Sequence, residues 1–398
     1  MRWSPNPITN KNNMKRTFSP APISQAFDWT ERWQPAFAPQ ELPLSQAAGH
    51  CLTQALTAEA DIPLRASSAR DGHALRSADT LGAGDYNPLP LRLVSVAQGV
   101  APGSAVRVST GDELPAGADA VLNLEQADVR GDFLDVAASL APGDGVIQIG
   151  EECRQGDVLL PAGRRLRPQD LARLALAGYE RVEVSAKPRV QICLAGRFSR
   201  DGDGPMLAAM IERDGAKLER LERSPTAENL VQTLSGFDAD LMLVVGATGY
   251  GERDHAVAAL QECGRVDIDG VTLHPGGGLV LGEVAGRPVI LLPGSPLACL
   301  CAYDLVAARL LRRLAGKPGA LPYRRQRLSL SRKLVSRIGQ MEVARMRIDG
   351  ETTEPLAVVD DRLLSNSIRA DGFVLLPENS EGFAEGALVE VYRYDETD

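Results

Sequence analysis

The spacing of apolar and polar positions changes several times along this chain, and each change marks a part. Between residues 188 and 316, short continuous apolar runs recur at Val190 to Leu194, Leu241 to Val245 and Val289 to Leu292. A strand apolar at successive positions is buried on both faces, as in a parallel sheet covered by helices. The segments Met206 to Arg213, Ala227 to Leu234, Arg253 to Gln261 and Leu297 to Leu314 read as the covering helices, with Leu218 to Leu221 a further strand. This alternation predicts a three-layer α/β domain with a mainly parallel sheet over residues 188–318.

The flanking regions follow other patterns. Leu91 to Val96, Ala105 to Ser109, Ala120 to Leu124 and a hairpin-like pair around Arg130-Gly131-Asp132 are short β-branched runs between turn signals, which predicts a small β domain over 51–149. Residues 21–50 contain a short helical pattern. A second helix follows Pro168, with Leu171, Leu174, Leu176 and Ala177 on its apolar side and Gly178 closing it. The β residues therefore look inserted into a helical linker domain made of 21–50 and 150–187. Short strands, Gly372 to Leu376 and Leu388 to Tyr394 among them, predict a second β domain over 319–398. Residues 1–20 are basic and polar and read as a flexible tail, with Met14 as an alternative start.

Composition narrows the function. The chain has 398 residues, 44% hydrophobic and 24% charged, enough for several buried cores. Its net charge of -9 leaves no global field toward nucleic acid or an anionic membrane, so an anionic ligand needs a local positive site. Cys51, Cys153, Cys193, Cys263, Cys299 and Cys301 form no Cys-x-x-Cys pair, and only four histidines could join them in a metal site. They read as reduced thiols of a cytoplasmic protein. No apolar run has the length of a membrane span.

Candidate chemistry lies in the loops. After Leu241 to Val245, Gly246, Gly249 and Gly251 let the backbone turn sharply and approach a ligand at a strand's carboxyl end, or simply make a turn. Asp201-Gly202-Asp203-Gly204-Pro205 leads into a helix, where its carboxylates would hold a divalent cation or cap the helix. His274-Pro275-Gly276-Gly277-Gly278 offers backbone N–H groups for an anion nest or a flexible turn. Leu292-Pro293-Gly294-Ser295-Pro296 places Ser295 at an N-cap and Pro296 at the first helical position, a ready phosphate site. In the N-terminal half, Ser67 to Ala74 sets small residues around Asp71, suited to a partner or ligand or to an ordinary polar loop.

Assembled, these residues resemble the MoeA family of molybdopterin molybdenumtransferases, and the chain is similar also to the C-terminal domain of gephyrin. Asp61-Ile62-Pro63 and Ser68-Ala69-Arg70-Asp71-Gly72-His73-Ala74 resemble the family's D-[IV]-P and N-S-A-M-D-G-Y-A. Leu114 to Val121 resembles L-P-x-G-A-D-A-V, Gly156 to Gly163 resembles G-x-V-L-L-x-A-G, and Leu292 to Pro296 resembles L-P-G-N-P. The resemblance implies a helical linker domain, an inserted β domain, an α/β molybdopterin-binding domain and a C-terminal β domain, in an elongated homodimer. It implies molybdate and adenylylated molybdopterin as substrates, Mg2+ as cofactor and AMP as product. The implied site lies between the α/β domain of one subunit and the N-terminal domains of the other. Further implied partners are other molybdenum cofactor biosynthesis proteins or an acceptor molybdoenzyme.

On this resemblance Asp71, Asp254, Arg70 and Arg253 are the candidate catalytic residues. Gly246, Gly249, Gly251, Gly276, Gly277, Pro293, Gly294 and Ser295 are candidates for binding the pterin phosphate, and Asp201, Asp254 and Glu152 for the metal. The chain departs from the family where charge matters. The family's K-P-G-K-P is His274 to Gly278 here, without either lysine, and the Glu of S-T-G-D-E-L has no counterpart after Leu194. Losing one pre-organised charge typically costs about a hundredfold to a thousandfold in rate. Arg70 and Arg253 are therefore candidate replacements, and a weakened paralogue that binds and delivers molybdenum cofactor is the alternative to an enzyme.

Overall fold

The structure is a computed structural model that describes residues 19–34, 39–196, 201–249, 254–356 and 364–397. Its contacts divide the chain into two units, Gln40–Val184 and the chain on either side of it.

The second unit contains α1 (Ile23–Glu31), β1 (Arg189–Ala195), α2 (Asp203–Arg213), β2 (Lys217–Ser224), α3 (Ala227–Gly236), β3 (Leu241–Val245) and α4 (Ala256–Cys263). It continues with β4 (Arg265–Asp269), β5 (Leu273–His274), β6 (Val280–Val284), β7 (Arg287–Leu292) and α5 (Pro296–Ala302), which runs through a π-helical turn, Tyr303–Ala307, into α6 (Ala308–Leu314). One sheet has the order β2-β1-β3-β7-β6-β4. The first four strands are parallel, and β6 and β4 form an antiparallel edge that the apolar pattern did not announce.

Continuous apolar runs arise because each central strand feeds two cores. Val190, Ile192 and Leu194 of β1, Leu241, Leu243 and Val245 of β3, and Ile290 and Leu292 of β7 face one cluster with α1, α2, α5 and α6. Cys193, Met242, Val244, Val289 and Leu291 face the other, with α3 and α4. Period-two alternation across helix-covered faces leaves few positions for polar residues, and among the central strands the buried Gln191 of β1 is an exception. The three-layer expectation therefore holds.

Helix α1 differs from the grouping expected for residues 21–50. Ile23, Ala26 and Trp29 pack into the α/β core, and the Trp29 Nε1–H donates to Asp267 at 2.7 Å. Burying Ile23 and Trp29 contributes on the order of 3 kcal/mol or more, which explains a nine-residue helix that would be marginal alone.

A second sheet in this unit contains β8 (Tyr323–Leu330), β9 (Met341–Asp349), β10 (Thr352–Pro355), β11 (Gly372–Leu376) and β12 (Leu388–Thr397). Its order is β5-β9-β10-β8-β12-β11, with β9 also paired to β11. Thus β5, from the α/β stretch, joins the C-terminal sheet, Leu273 opposite Met341 and His274 opposite Glu342.

The unit Gln40–Val184 holds a six-stranded sheet in the order Ala120–Asn123, Gly72–Leu75, Ser104–Val108, Leu89–Val94, Phe133–Val136, Ala127–Arg130. The last two strands are the hairpin expected around Gly131. Residues 72–75, read as part of a small-residue loop, form a fully buried inner strand. A Cβ at Gly72 would lie 1.9 Å from the Leu122 carbonyl oxygen, so only glycine fits there. The helix Pro168–Leu176 packs on a separate apolar cluster through Leu174. No helix among the described residues is long and apolar enough to cross a membrane.

Candidate functional site

Strands β1, β3 and β7 lie side by side, with Leu194 opposite Val245 and Val245 opposite Leu292. The loops that follow them leave the same sheet edge, where open α/β sheets bind ligands. The strand order β2-β1-β3-β7 reverses between β1 and β3, and the crevice at such a reversal is bounded here by the loops after Ala195 and after Val245.

The loops meet backbone to backbone. The Gly246 N–H donates to the Leu292 carbonyl at 2.9 Å, and a Cβ at Gly294 would lie 3.0 Å from the Gly246 Cα. A Cβ at Gly278 would be 3.6 Å from Thr248 Oγ1 and 3.8 Å from Pro293 Cγ, and one at Gly276 would be 3.4 Å from the Ala298 carbonyl oxygen. Gly246, Gly276, Pro293 and Gly294 are thereby gathered, and Gly277 sits in the same turn, its carbonyl accepting from the Val271 N–H at 3.0 Å. Ser295 takes the N-cap position of α5 with Pro296 next, and its carbonyl accepts from the Cys299 N–H at 2.8 Å. Between Gly246 and the buried Thr248, Ala247 holds a φ of 53°, a left-handed conformation that costs an L-residue about 1–2 kcal/mol. The strained turn marks this loop as built for its shape.

Carboxylates stand at both sides of the crevice. Asp201 accepts from the Gly204 N–H at 2.8 Å and lies 3.8 Å from Arg223, so it does secure the start of α2. Asp203 is only 5% exposed, and its Oδ1 is buried without a hydrogen-bond partner among the described residues. Burial first, and the neighbouring Asp201 second, push its pKa up to about 6. A Cβ at Gly249 would lie 2.5 Å from Asp254 Oδ2, so glycine there lets the Asp254 carboxylate approach the loop. Gly251 and Arg253 lie outside the described residues.

The remaining candidates belong to Gln40–Val184. Asp71 accepts from the Thr110 N–H at 2.7 Å and the Thr110 hydroxyl at 3.1 Å, bonds that hold its carboxyl below the usual range. The Arg70 side chain passes beside Gly145, where a Cβ would meet its Nε at 2.7 Å. Glu152 is exposed, in a loop whose Glu152 N–H donates to the Ile62 carbonyl at 3.0 Å.

Cations near the glycine loop come from the C-terminal sheet. A cavity of about 340 Å³ is lined by His274, Pro275, Leu297, Arg332, Lys333 and Arg345, among others. Arg345 is buried and donates to Ser367 Oγ at 3.0 Å, the Val343 carbonyl at 3.0 Å and Cys301 Sγ at 2.7 Å. These cations lie far along the chain from His274, and no local motif marked them. The sequence marks Asp203 only together with Asp201, as a cation ligand or helix cap, and does not mark Thr248; the burial of both is a property of the fold.

No group of three or more His, Cys, Asp or Glu among the described residues is arranged to hold a metal ion. Mg2+ characteristically takes one or two carboxylates and completes its shell with phosphate and water. The Asp201–Asp203 pair, with its unpartnered buried oxygen, fits that partial role.

Comparison with known proteins gives the family and the fold. Residues 21–178 match the family model described as MoeA N-terminal region (domain I and II), and residues 178–313 match the one described as "probable molybdopterin binding domain". A Methanocaldococcus jannaschii protein named "putative molybdopterin biosynthesis protein" is 28% identical over 385 residues, covering 89% of this chain and 92% of its own. Molybdopterin molybdenumtransferase 2 of Mycobacterium tuberculosis is 28% identical over 400 residues, covering 90% and 95%. The crystal structure of a molybdopterin biosynthesis MoeA protein from Pyrococcus horikoshii superposes with a TM-score of 0.76 at 25% identity, covering 94% of this chain and 99% of that one.

Proposed function

The chain belongs to the MoeA family of molybdenum cofactor biosynthesis, and from that premise we propose that it is a molybdopterin molybdenumtransferase. It takes adenylylated molybdopterin and molybdate, cleaves the phosphoanhydride, releases AMP and leaves molybdenum in the dithiolene. The observation that carries this reading is the close meeting of the loops at Gly246, Gly278 and Gly294, at the sheet edge that also carries the Asp201–Asp203 pair and Asp254. Backbone pressed that near to backbone leaves no room for side chains, so a phosphate would be met there by main chain; the Gly246 N–H is itself spent on the Leu292 carbonyl, which leaves the Gly276–Gly278 turn and the start of α5 for that role.

In this reading the glycine loop and the start of α5 hold the phosphates, and Asp254 positions the substrate opposite Gly249. Asp201 and Asp203 would hold Mg2+, which when bound neutralises phosphate charge. Arg332 and Lys333 supply positive charge on the His274 side, in place of the family's lysines. The protein acts as a homodimer in the cytoplasm, and, as the family resemblance implies, Asp71, Arg70 and Glu152 of one subunit serve the α/β domain of the other.

AMP formed per subunit tests this. Asp254→Asn and Asp203→Asn are each expected to slow release by about a hundredfold, and Arg332→Ala with Lys333→Ala by about tenfold or more. Release indifferent to all of them would refute the site. One observation favours a second reading: residues 274–278 carry no lysine, so the protein would bind and deliver cofactor without inserting metal. His274→Lys with Gly277→Lys would then create magnesium-dependent AMP release.

A further inference from the structure

Gly246, Gly276, Gly278 and Gly294 crowd the meeting of the loops, and the fold accounts for all of them but Gly278. Gly246 and Gly276 take positive φ values of 88° and 127°, which an L-residue adopts only under strain. A Cβ at Gly294 would press on the Gly246 Cα at 3.0 Å, and one at Gly276 on the Leu273 side chain at 2.8 Å. Gly278 answers to neither reason. Its φ is not positive, and the atoms nearest a Cβ there, Thr248 Oγ1 at 3.6 Å and Pro293 Cγ at 3.8 Å, stand at ordinary contact distance. An alanine methyl would fit, so packing does not demand a glycine.

The missing methyl leaves a small notch between Thr248, Pro293 and the Gly278 main chain, and its walls are fixed. Thr248 is 4% exposed and Pro293 is buried, while Gly278 is half-buried and Gly294 exposed, which leaves this main chain open to a ligand. The turn is secured through its carbonyls: that of Gly277 accepts from the Val271 N–H at 3.0 Å and that of Gly276 from the Leu279 N–H at 3.1 Å. No described residue accepts from the Gly277 or Gly278 N–H. Where the family pattern K-P-G-K-P has its second lysine and last proline, this chain has Gly277 and Gly278. A proline ring would fill the notch, and the chain sets two N–H groups and the Thr248 hydroxyl in place of that lysine and proline.

We infer that the notch at Gly278 takes one non-bridging oxygen of a phosphate, with the Thr248 hydroxyl and the Gly277 and Gly278 N–H groups as its donors. This rests on the proposed function, in which the phosphate is that of adenylylated molybdopterin. Thr248 is then a binding residue that no motif marked. An oxygen is smaller than a methyl group, so one seated near the place of the absent Cβ can close from 3.6 Å toward Thr248 Oγ1 to the usual O–H···O distance of about 2.7–2.8 Å. The hydroxyl does not replace the charge of a lysine; it fixes where one oxygen sits.

Equilibrium binding of adenylylated molybdopterin, and separately of molybdate, to the full chain tests this. Gly278→Ala is expected to weaken binding of adenylylated molybdopterin about tenfold, because the methyl takes the oxygen's place, with stability in denaturant unchanged or slightly raised. Thr248→Val, which keeps the shape and removes the donor, should weaken it by a similar factor, and Thr248→Ser should bind like the unsubstituted chain. Unchanged affinity in Gly278→Ala would overturn the inference while leaving the proposed function standing, as would a loss in Thr248→Ser equal to that in Thr248→Val. A loss confined to molybdate would overturn the assignment to phosphate. No binding of adenylylated molybdopterin by the unsubstituted chain would overturn both the inference and the proposed function.

Discussion

His73 stands where the family pattern has Tyr, on the inner strand Gly72–Leu75, and is 1% exposed. Burial, and then Arg107, lower its pKa from the usual 6.5. Its Nδ1 is buried without a hydrogen-bond partner among the described residues. The folded chain thus disfavours the imidazolium, whereas the unfolded chain accepts the proton freely. Stability is fully present above pH 6.5 and falls as pH drops below it, by up to about 1.4 kcal/mol per unit for one proton. Denaturant titrations between pH 7.5 and 5.5 should show this loss, and His73→Tyr should reduce it, since tyrosine does not titrate there. An identical pH profile in the variant would refute the assignment.

At the scale of elements, the run from α5 to α6 is held by a buried ionic cluster. The π-helical turn keeps Tyr303 through Ala307 all buried, which brings Tyr303 and Asp304 to the same interior as the end of α2. Arg213 donates to Asp214 and Asp304, both at 2.8 Å, and to the Tyr323 hydroxyl at 2.7 Å. Arg312 donates to Asp214 at 3.0 Å, and the Tyr303 hydroxyl does so at 3.2 Å. Two cations and two carboxylates balance there, joining α2, α6 and β8. Asp214→Ala would strand Arg312, which is 3% exposed, and should destabilise the chain by about 3–5 kcal/mol. Chemical denaturation measures this, and a loss below about 1 kcal/mol would mean the cluster is not load-sharing in the folded state.

For the whole molecule, the apolar clusters respect the division into two units: the clusters around Leu52, Leu75 and Ala74 lie within Gln40–Val184, and those around Val190, Cys193 and Leu328 lie outside it. The homodimer inferred from the family belongs at this scale. A net charge of -9 per chain opposes association through like charge, and Leu81, Tyr86, Leu176, Ile368 and Leu388 are among the exposed apolar groups that burial in an interface would favour. Sedimentation at micromolar concentration is expected to give about twice the chain's mass. A monomer releasing AMP at the full rate would refute the dimer.

The sequence by itself determined the α/β layers, because strands whose side chains alternate between two cores are apolar at nearly every interior position, as the runs in β1, β3 and β7 are apart from Gln191. It also determined the turns, because the positive-φ and close-contact positions Gly246 and Gly294 demand glycine. Local chemistry suffices for both. Pairing across the chain does not work that way. That β5 leaves the α/β stretch for the C-terminal sheet, and that Arg332 and Lys333 come to His274, follow from contacts between segments far apart in sequence. The side to which α1 packs was likewise undecided by its own amphipathic face, which states that a core is needed but not which one. Burial, with the neighbouring Asp201 charge second, sets Asp203 apart from Asp201, two carboxylates two residues apart that read alike until one is enclosed. A residue's type sets what it can do, and desolvation and partners, known only in three dimensions, decide which of those things it does.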